Sequence, residues 1–177
     1  MTSRRADLGA AAGLGVLLTG VGVALALWLE LRLLGRTSPA IGVVAVGLLE
    51  EALVRLVPLI ATFYLLSARR GRLLTKAQGL VATVASGATV AGLELAVKLE
   101  YLSRLEAAAR FDALVLPVVF VHLPLALVAG RFAYWLGERL HGTGEFGRPD
   151  LSRRALGLLA AGYVALALAH LLYNLTV

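Results

Sequence analysis

The stretch PAIGVVAVGLLEEALVRLVPLIATFYLLS, Pro39–Ser67, decides what kind of protein this is. It is longer than the roughly 20 apolar residues that carry a helix across a bilayer. Its apolar residues do not alternate with period 2, which excludes a barrel strand. Yet its middle holds three ionisable residues, Glu50, Glu51 and Arg55. An apolar helix interrupted by charge is expensive in lipid, so the reading of the whole chain turns on where those charges go.

The rest of the sequence repeats the pattern. Four further runs have the length and character of spans: Leu8–Leu29, Ala77–Tyr101, Asp112–Leu136 and Ala155–Val177. Apolar residues make up 59% of the 177 and charged residues only 16%, against about 45–50% and 25% in soluble domains. Mean hydropathy is +0.84. The fold class expected is all-α: a polytopic integral membrane helix bundle of five transmembrane helices forming a single domain over residues 1–177. The first run is longer than the roughly 7–15 apolar residues of a secretory signal, so it reads as a retained helix. With no cysteine in the chain, disulfides, thiolate metal sites and thiol nucleophiles are excluded.

Charge orients the bundle. With five spans, the N-terminus shares a side with the loops after spans two and four. Eleven of the 17 Lys and Arg residues fall on that side and five on the other, with Arg55 inside. Positive residues favour the cytoplasmic side, which predicts a cytoplasmic N-terminus and a multi-pass protein of the cell membrane. The net charge of +6 then reflects membrane anchoring, and no nucleic-acid partner is expected.

Six ionisable residues lie within the apolar runs: Glu50, Glu51, Arg55, Glu94, His122 and His170. A charge at a helix centre costs about 2.5–3.5 kcal/mol on insertion scales, so these groups are expected to face one another or a wet cavity. Counting residues from the span ends at 1.5 Å per residue puts both glutamates of span two, Glu94, His122 and His170 roughly 10–18 Å below the outer surface. Glu51 and Arg55 are four residues apart on one helical face and can pair. His170 and Asn174 share the same spacing. Pro58 and Pro124 follow Arg55 and His122 within a turn and are expected to loosen the backbone there.

Such a set has several chemical uses. A carboxylate and an imidazole sharing a water make a general base, and peptide hydrolysis needs that plus donors for the oxyanion. Two His and one Glu (His122, His170 and Glu51) also make an acceptable zinc shell with an open position. The same groups could serve as a proton relay in a transporter. Residue chemistry alone leaves these open.

The motifs add a resemblance. Glu50-Glu51-Ala-Leu-Val-Arg55 resembles the EExxxR signature of the CAAX-protease and bacteriocin-processing families, and His170-Leu-Leu-Tyr-Asn174 their closing HxxxN. The layout is closer still to the PrsW-type intramembrane proteases, where a helix of the form GxxFAxxENxxY and another with HxxxxxxxG intervene. Gly87, Ala91 and Glu94 fit the first, and His122 with Gly130 the second. Val54 stands where these proteins carry Lys, and Val90, Leu95 and Lys98 stand for Phe, Asn and Tyr. Val118 replaces the Phe that precedes the CAAX-branch histidine. The resemblance implies an intramembrane endopeptidase acting on a membrane-embedded or juxtamembrane peptide. Glu50 and Glu51 would hold the base, His122 would assist it, and His170 with Asn174 would stabilise the oxyanion. Metal-free chemistry is favoured because Arg55 and the carboxylates can set the histidine charge states themselves, with zinc as the alternative. The rival expectations are a non-proteolytic scaffold or immunity-type protein that binds helices in the same groove, and a small proton-coupled transporter. The inverted repeat a transporter would favour is not visible.

The orientation is testable at once in a chain without cysteine. A cysteine at Thr75 should react only with cytoplasmic reagent and one at Thr176 only with external reagent. The reverse pattern would invert the bundle.

Overall fold

A computed structural model describes residues 2–33, 39–102, 121–141 and 152–174. The helices are α1 (Thr2–Leu33), α2 (Pro39–Glu50), α3 (Val57–Arg70), α4 (Lys76–Leu102), α5 (Leu123–His141) and α6 (Arg153–Asn174). A six-residue π-helical segment, Glu51–Leu56, joins α2 to α3. There is no strand among the described residues. Four helical stretches are long and apolar enough to cross a membrane: Arg5–Arg32, Gly47–Arg70, Lys76–Ala96 and Arg153–Leu172.

Compared with the sequence reading, α1 extends past Leu29 to take in Glu30, and span two is one helical rod with a wider turn inside it. Spans three and five match α4 and α6 within a few residues. Of the fourth expected span, residues 112–120 lie outside the described part and α5 supplies the remainder. Residues 175–177 at the end of the fifth lie outside it as well.

Proline explains the π segment. Pro58 has no N–H to give to the Val54 carbonyl four residues earlier, and its ring crowds that carbonyl. The chain responds by widening: the Val57 N–H bonds to the Ala52 carbonyl, five residues back. Such turns are rare and occur often at functional sites. A second π-wound turn, Val121–His122, stands just ahead of Pro124. Both prolines therefore sit beside a widened turn that carries ionisable residues.

The Glu51–Leu56 segment is the hub of the bundle, in contact with all six helices. The closest approach is from α1, where a Cβ at Gly22 would overlap the Leu53 carbonyl. On the α4–α5 seam a Cβ at Gly130 would overlap the Thr83 side chain, and one at Gly87 would come within 2.7 Å of the Ala126 Cβ. Small residues at such seams let backbones approach closely, the packing that membrane helices use in place of a hydrophobic driving force. Hydroxyls add polar links: Thr19 and Ser86 bond across α1 and α4 at 2.7 Å while fully buried.

Each end of the bundle has its own chemistry. Asp7 near the start of α1 pairs with Arg70 at the end of α3 at 2.6 Å. Gly71 then terminates α3 at φ +64°, a conformation that favours glycine. Thr75 and Gln78 cap α4 reciprocally: the Thr75 N–H donates to Gln78 Oε1 and the Gln78 N–H to Thr75 Oγ1. Two Trp–Arg pairs stack four residues apart, Trp28 with Arg32 at the far end of α1 and Trp135 with Arg139 towards the end of α5. Between the ends, large apolar side chains such as Leu17, Leu168 and Val128 point outwards and are more than half exposed.

The Gly22 contact gives a stability test. Gly22→Ala should lower stability by about 1–3 kcal/mol, the usual cost of overpacking. Gly13→Ala, with open space around it, should not. Thermal unfolding of the two detergent-solubilised variants would separate them.

Candidate functional site

The site is built around Arg55. Its side chain is 1% exposed, far too buried for a lone cation, and its neighbours supply the compensation. Glu51, four residues back and 0% exposed, forms an ion pair with Arg55 Nη1. Arg55 Nη2 lies 2.5 Å from His122 Nδ1, and Nη1 lies 3.4 Å from His170 Nδ1. One guanidinium from the π segment thus reaches an imidazole from the turn before α5 and another from α6. The two rings stand edge to face, with centroids 6.2 Å apart.

Donor and acceptor rules assign the protons. A guanidinium only donates, so Arg55 donates to His122 Nδ1, and His122 carries its proton on Nε2. That nitrogen faces Glu94 of α4 in close contact. At His170 the nearest partner of Nδ1 is Glu51 Oε1, at 2.8 Å. A carboxylate only accepts, so Nδ1 carries the proton there and Nε2 points at Glu50, 3.6 Å from its Oε2. These tautomers follow from the network. The two histidines consequently differ: His122 offers its N–H towards the carboxylate on its cavity side, and His170 its basic nitrogen.

A cavity of about 210 Å³ opens in front of this network. Glu50, Arg55, Glu94, His122 and His170 line it, joined by Glu30 of α1. Its apolar wall is made by Val23, Ala26, Val54 and Val90. Glu50 and Glu94 are each more than a quarter exposed to it, whereas Glu51 lies behind, sealed from it. Adjacent glutamates therefore have different surroundings, one facing the cavity and one holding Arg55 and His170. Glu51 Oε2 and Arg55 Nε are buried with no hydrogen-bond partner among the described residues.

Of the residues singled out from sequence, Glu50, Glu51, Arg55, Glu94, His122 and His170 come together. Asn174 falls in the last turn of α6, one turn beyond His170; its side chain lies outside the described part. Glu30 was missed. It directly follows the first apolar run and reads there as an end-of-helix charge. The available signal was periodicity: Val23, Ala26, Leu27 and Glu30 are spaced i, i+3, i+4, i+7 on one stripe, and all four line the cavity.

The zinc alternative meets a geometric objection. Glu51 and His122 address Arg55 directly, and His170 Nδ1 is held by Glu51. Both imidazole Nδ1 atoms and the Glu51 carboxylate are thereby engaged by protein, which leaves the Nε2 atoms, on the side of Glu94 and Glu50, as the positions at which these histidines could meet a metal ion. No family model, curated protein or solved structure matches the chain.

The network predicts strong non-additivity. Arg55→Met leaves Glu51 buried and uncompensated and should cost about 3–5 kcal/mol. The double change Glu51→Leu with Arg55→Met removes both charges and should recover much of that loss. Denaturant unfolding of the three proteins in one detergent would measure it.

Proposed function

We propose that the chain is a multi-pass protein of the cell membrane and an intramembrane endopeptidase of the PrsW/CAAX-protease type. The observation that carries this reading is the convergence of Glu50, Glu94, His122 and His170 from four helical elements around one cavity, with Arg55 and Glu51 buried behind them. Ionisable groups are maintained inside apolar helices mostly for function. The apolar exterior and the Trp–Arg pairs at both ends support a bilayer setting, in which aromatic and basic side chains mark the two interfaces. In the charge-based orientation the N-terminus is cytoplasmic and the cavity opens in the outer half of the membrane.

The geometry supports the following roles. Glu51 accepts the His170 Nδ1 proton and orients the ring. His170 Nε2 and Glu50 Oε2 lie 3.6 Å apart, and as two acceptors they can take the two protons of one water lying beside them in the cavity. The Glu50–His170 pair takes a proton from that water as its oxygen attacks the scissile carbonyl carbon. The pair then returns the proton to the leaving amide nitrogen as the C–N bond breaks. Arg55 lines the same cavity and provides the positive charge facing the developing oxyanion, where preorganised charge has most effect. His122, held by Arg55 and Glu94, positions the guanidinium. The apolar wall from α1 and α4 is the surface for an unwound substrate segment. In this assignment the base pair is Glu50 with His170, and His122 moves from assisting the base to positioning Arg55. The scheme is metal-free.

Purified protein should cleave reporter transmembrane peptides, and Glu50→Gln should reduce the rate about 10²–10⁴-fold with unchanged unfolding. His170→Ala should cost as much as Glu50→Gln, and the double change little more, since groups acting as a unit are not additive. Glu30→Gln should act mainly on substrate affinity, because Glu30 lines the α1 wall away from the pair. Chelator should leave the rate unchanged. A rate abolished by chelator and restored by zinc would overturn the metal-free scheme. Absence of cleavage across a panel of membrane peptides, with binding retained, would favour a helix-binding scaffold.

A further inference from the structure

A second cavity lies at the opposite, basic end of the bundle, in the seam between α4 and α5. Its volume is about 350 Å³. Lys76 and Arg131 line it together with Leu80, Leu127 and Tyr134. Gly79 and Gly130 belong to the same lining, and the places their side chains would take are occupied by Tyr134 and Thr83. The Thr83 hydroxyl at its base donates to the Gly79 carbonyl.

None of these groups belongs to the site around Arg55, and the polarity of the cavity is graded. Two cations stand at one end: Lys76 opens α4, and Arg131 lies one turn before Trp135, whose pairing with Arg139 marks that interface. Leu80, one turn further into α4, and Leu127, one turn before Arg131, carry an apolar surface deeper along both helices, and both are exposed. Tyr134 donates its hydroxyl proton to the Leu74 carbonyl at 3.2 Å, which fixes the ring against the cavity and turns its oxygen lone pairs to accept. Among the described residues no acidic side chain lines the cavity.

We infer that this α4–α5 seam is a binding site for one anionic phospholipid, with its phosphodiester between Lys76 and Arg131 and an acyl chain along Leu80 and Leu127. Charge complementarity selects this occupant. Two cations beside an apolar channel match a headgroup with an attached chain, and basic pockets between helices on the cytoplasmic side are where anionic lipids bind. Arg131 can address two phosphate oxygens at once and Lys76 one, as their donor geometries dictate. A zwitterionic lipid would bring its own cation towards Lys76 and Arg131 and is disfavoured. The inference rests on the membrane reading given above, not on peptide cleavage.

The test uses full-length protein in a neutral detergent, with phosphatidylglycerol or phosphatidylcholine added, read by thermal unfolding and by native mass spectrometry. Phosphatidylglycerol should raise the unfolding temperature saturably and give a one-lipid adduct, and phosphatidylcholine should do neither. Lys76→Gln with Arg131→Gln should weaken the apparent affinity about tenfold or more, since each cation contributes about 1 kcal/mol to anionic-lipid attraction. Each single change should lose part of that, which keeps the test decisive if the double variant does not fold. Arg69→Gln with Arg72→Gln, which removes equal charge outside the cavity, should bind as the parent does. Equal response to both lipids, equal loss in the control pair, or an equal shift with chain-free glycerol phosphate would each overturn the inference. Carbonate washing of membranes checks the premise separately: release of the protein refutes the membrane reading, whereas retention without lipid selectivity refutes only this site.

Discussion

A buried guanidinium constrains this molecule more than any other group. Arg55 carries a guanidinium charge at neutral pH, and its side chain is almost fully buried. Three parts of the chain answer that charge: Glu51 from its own segment, His122 from the turn before α5 and, through its bond to Glu51, His170 from α6. Satisfying one cation therefore fixes the relative position of three parts of the chain. The π turn belongs to the same solution. Pro58 forces the widening, and the widened segment contacts every helix of the bundle.

The cavity is a consequence of that arrangement. Once Glu51 is committed to Arg55 and His170, the neighbouring Glu50 is left facing the open space. The two carboxylates are adjacent in sequence, yet one is sealed beside Arg55 and the other faces the cavity. The same logic separates the histidines, because Arg55 occupies Nδ1 of His122 whereas Glu51 is the nearer partner of Nδ1 on His170.

The small residues have a parallel role in packing. Gly22 lets α1 lie against the π segment, and the α4–α5 seam at Gly87 and Gly130 keeps Glu94 beside His122. In the sequence Gly130 looks like one element of a motif that includes His122. In the structure its job is steric, since Thr83 fills the place its side chain would take. The cavity proposed for lipid opens along the same seam, with Gly79 and Gly130 in its lining.

The sequence by itself determined the helical class, the approximate extent of the spans and the identity of six of the clustered residues. These are local properties: apolar run length sets the helices, and charge is conspicuous against an apolar background. The i, i+4 spacing of Glu51 and Arg55 made their pairing legible, because both lie on one short segment. Tertiary structure alone decided which glutamate faces the cavity, which nitrogen of each histidine carries the proton, and that Glu30 belongs with the others. Those depend on the rotation of each helix about its axis. That rotation is set by contacts among six elements at once, through Gly22, through the seam at Gly130 and through the single charge of Arg55, and no segment carries it alone.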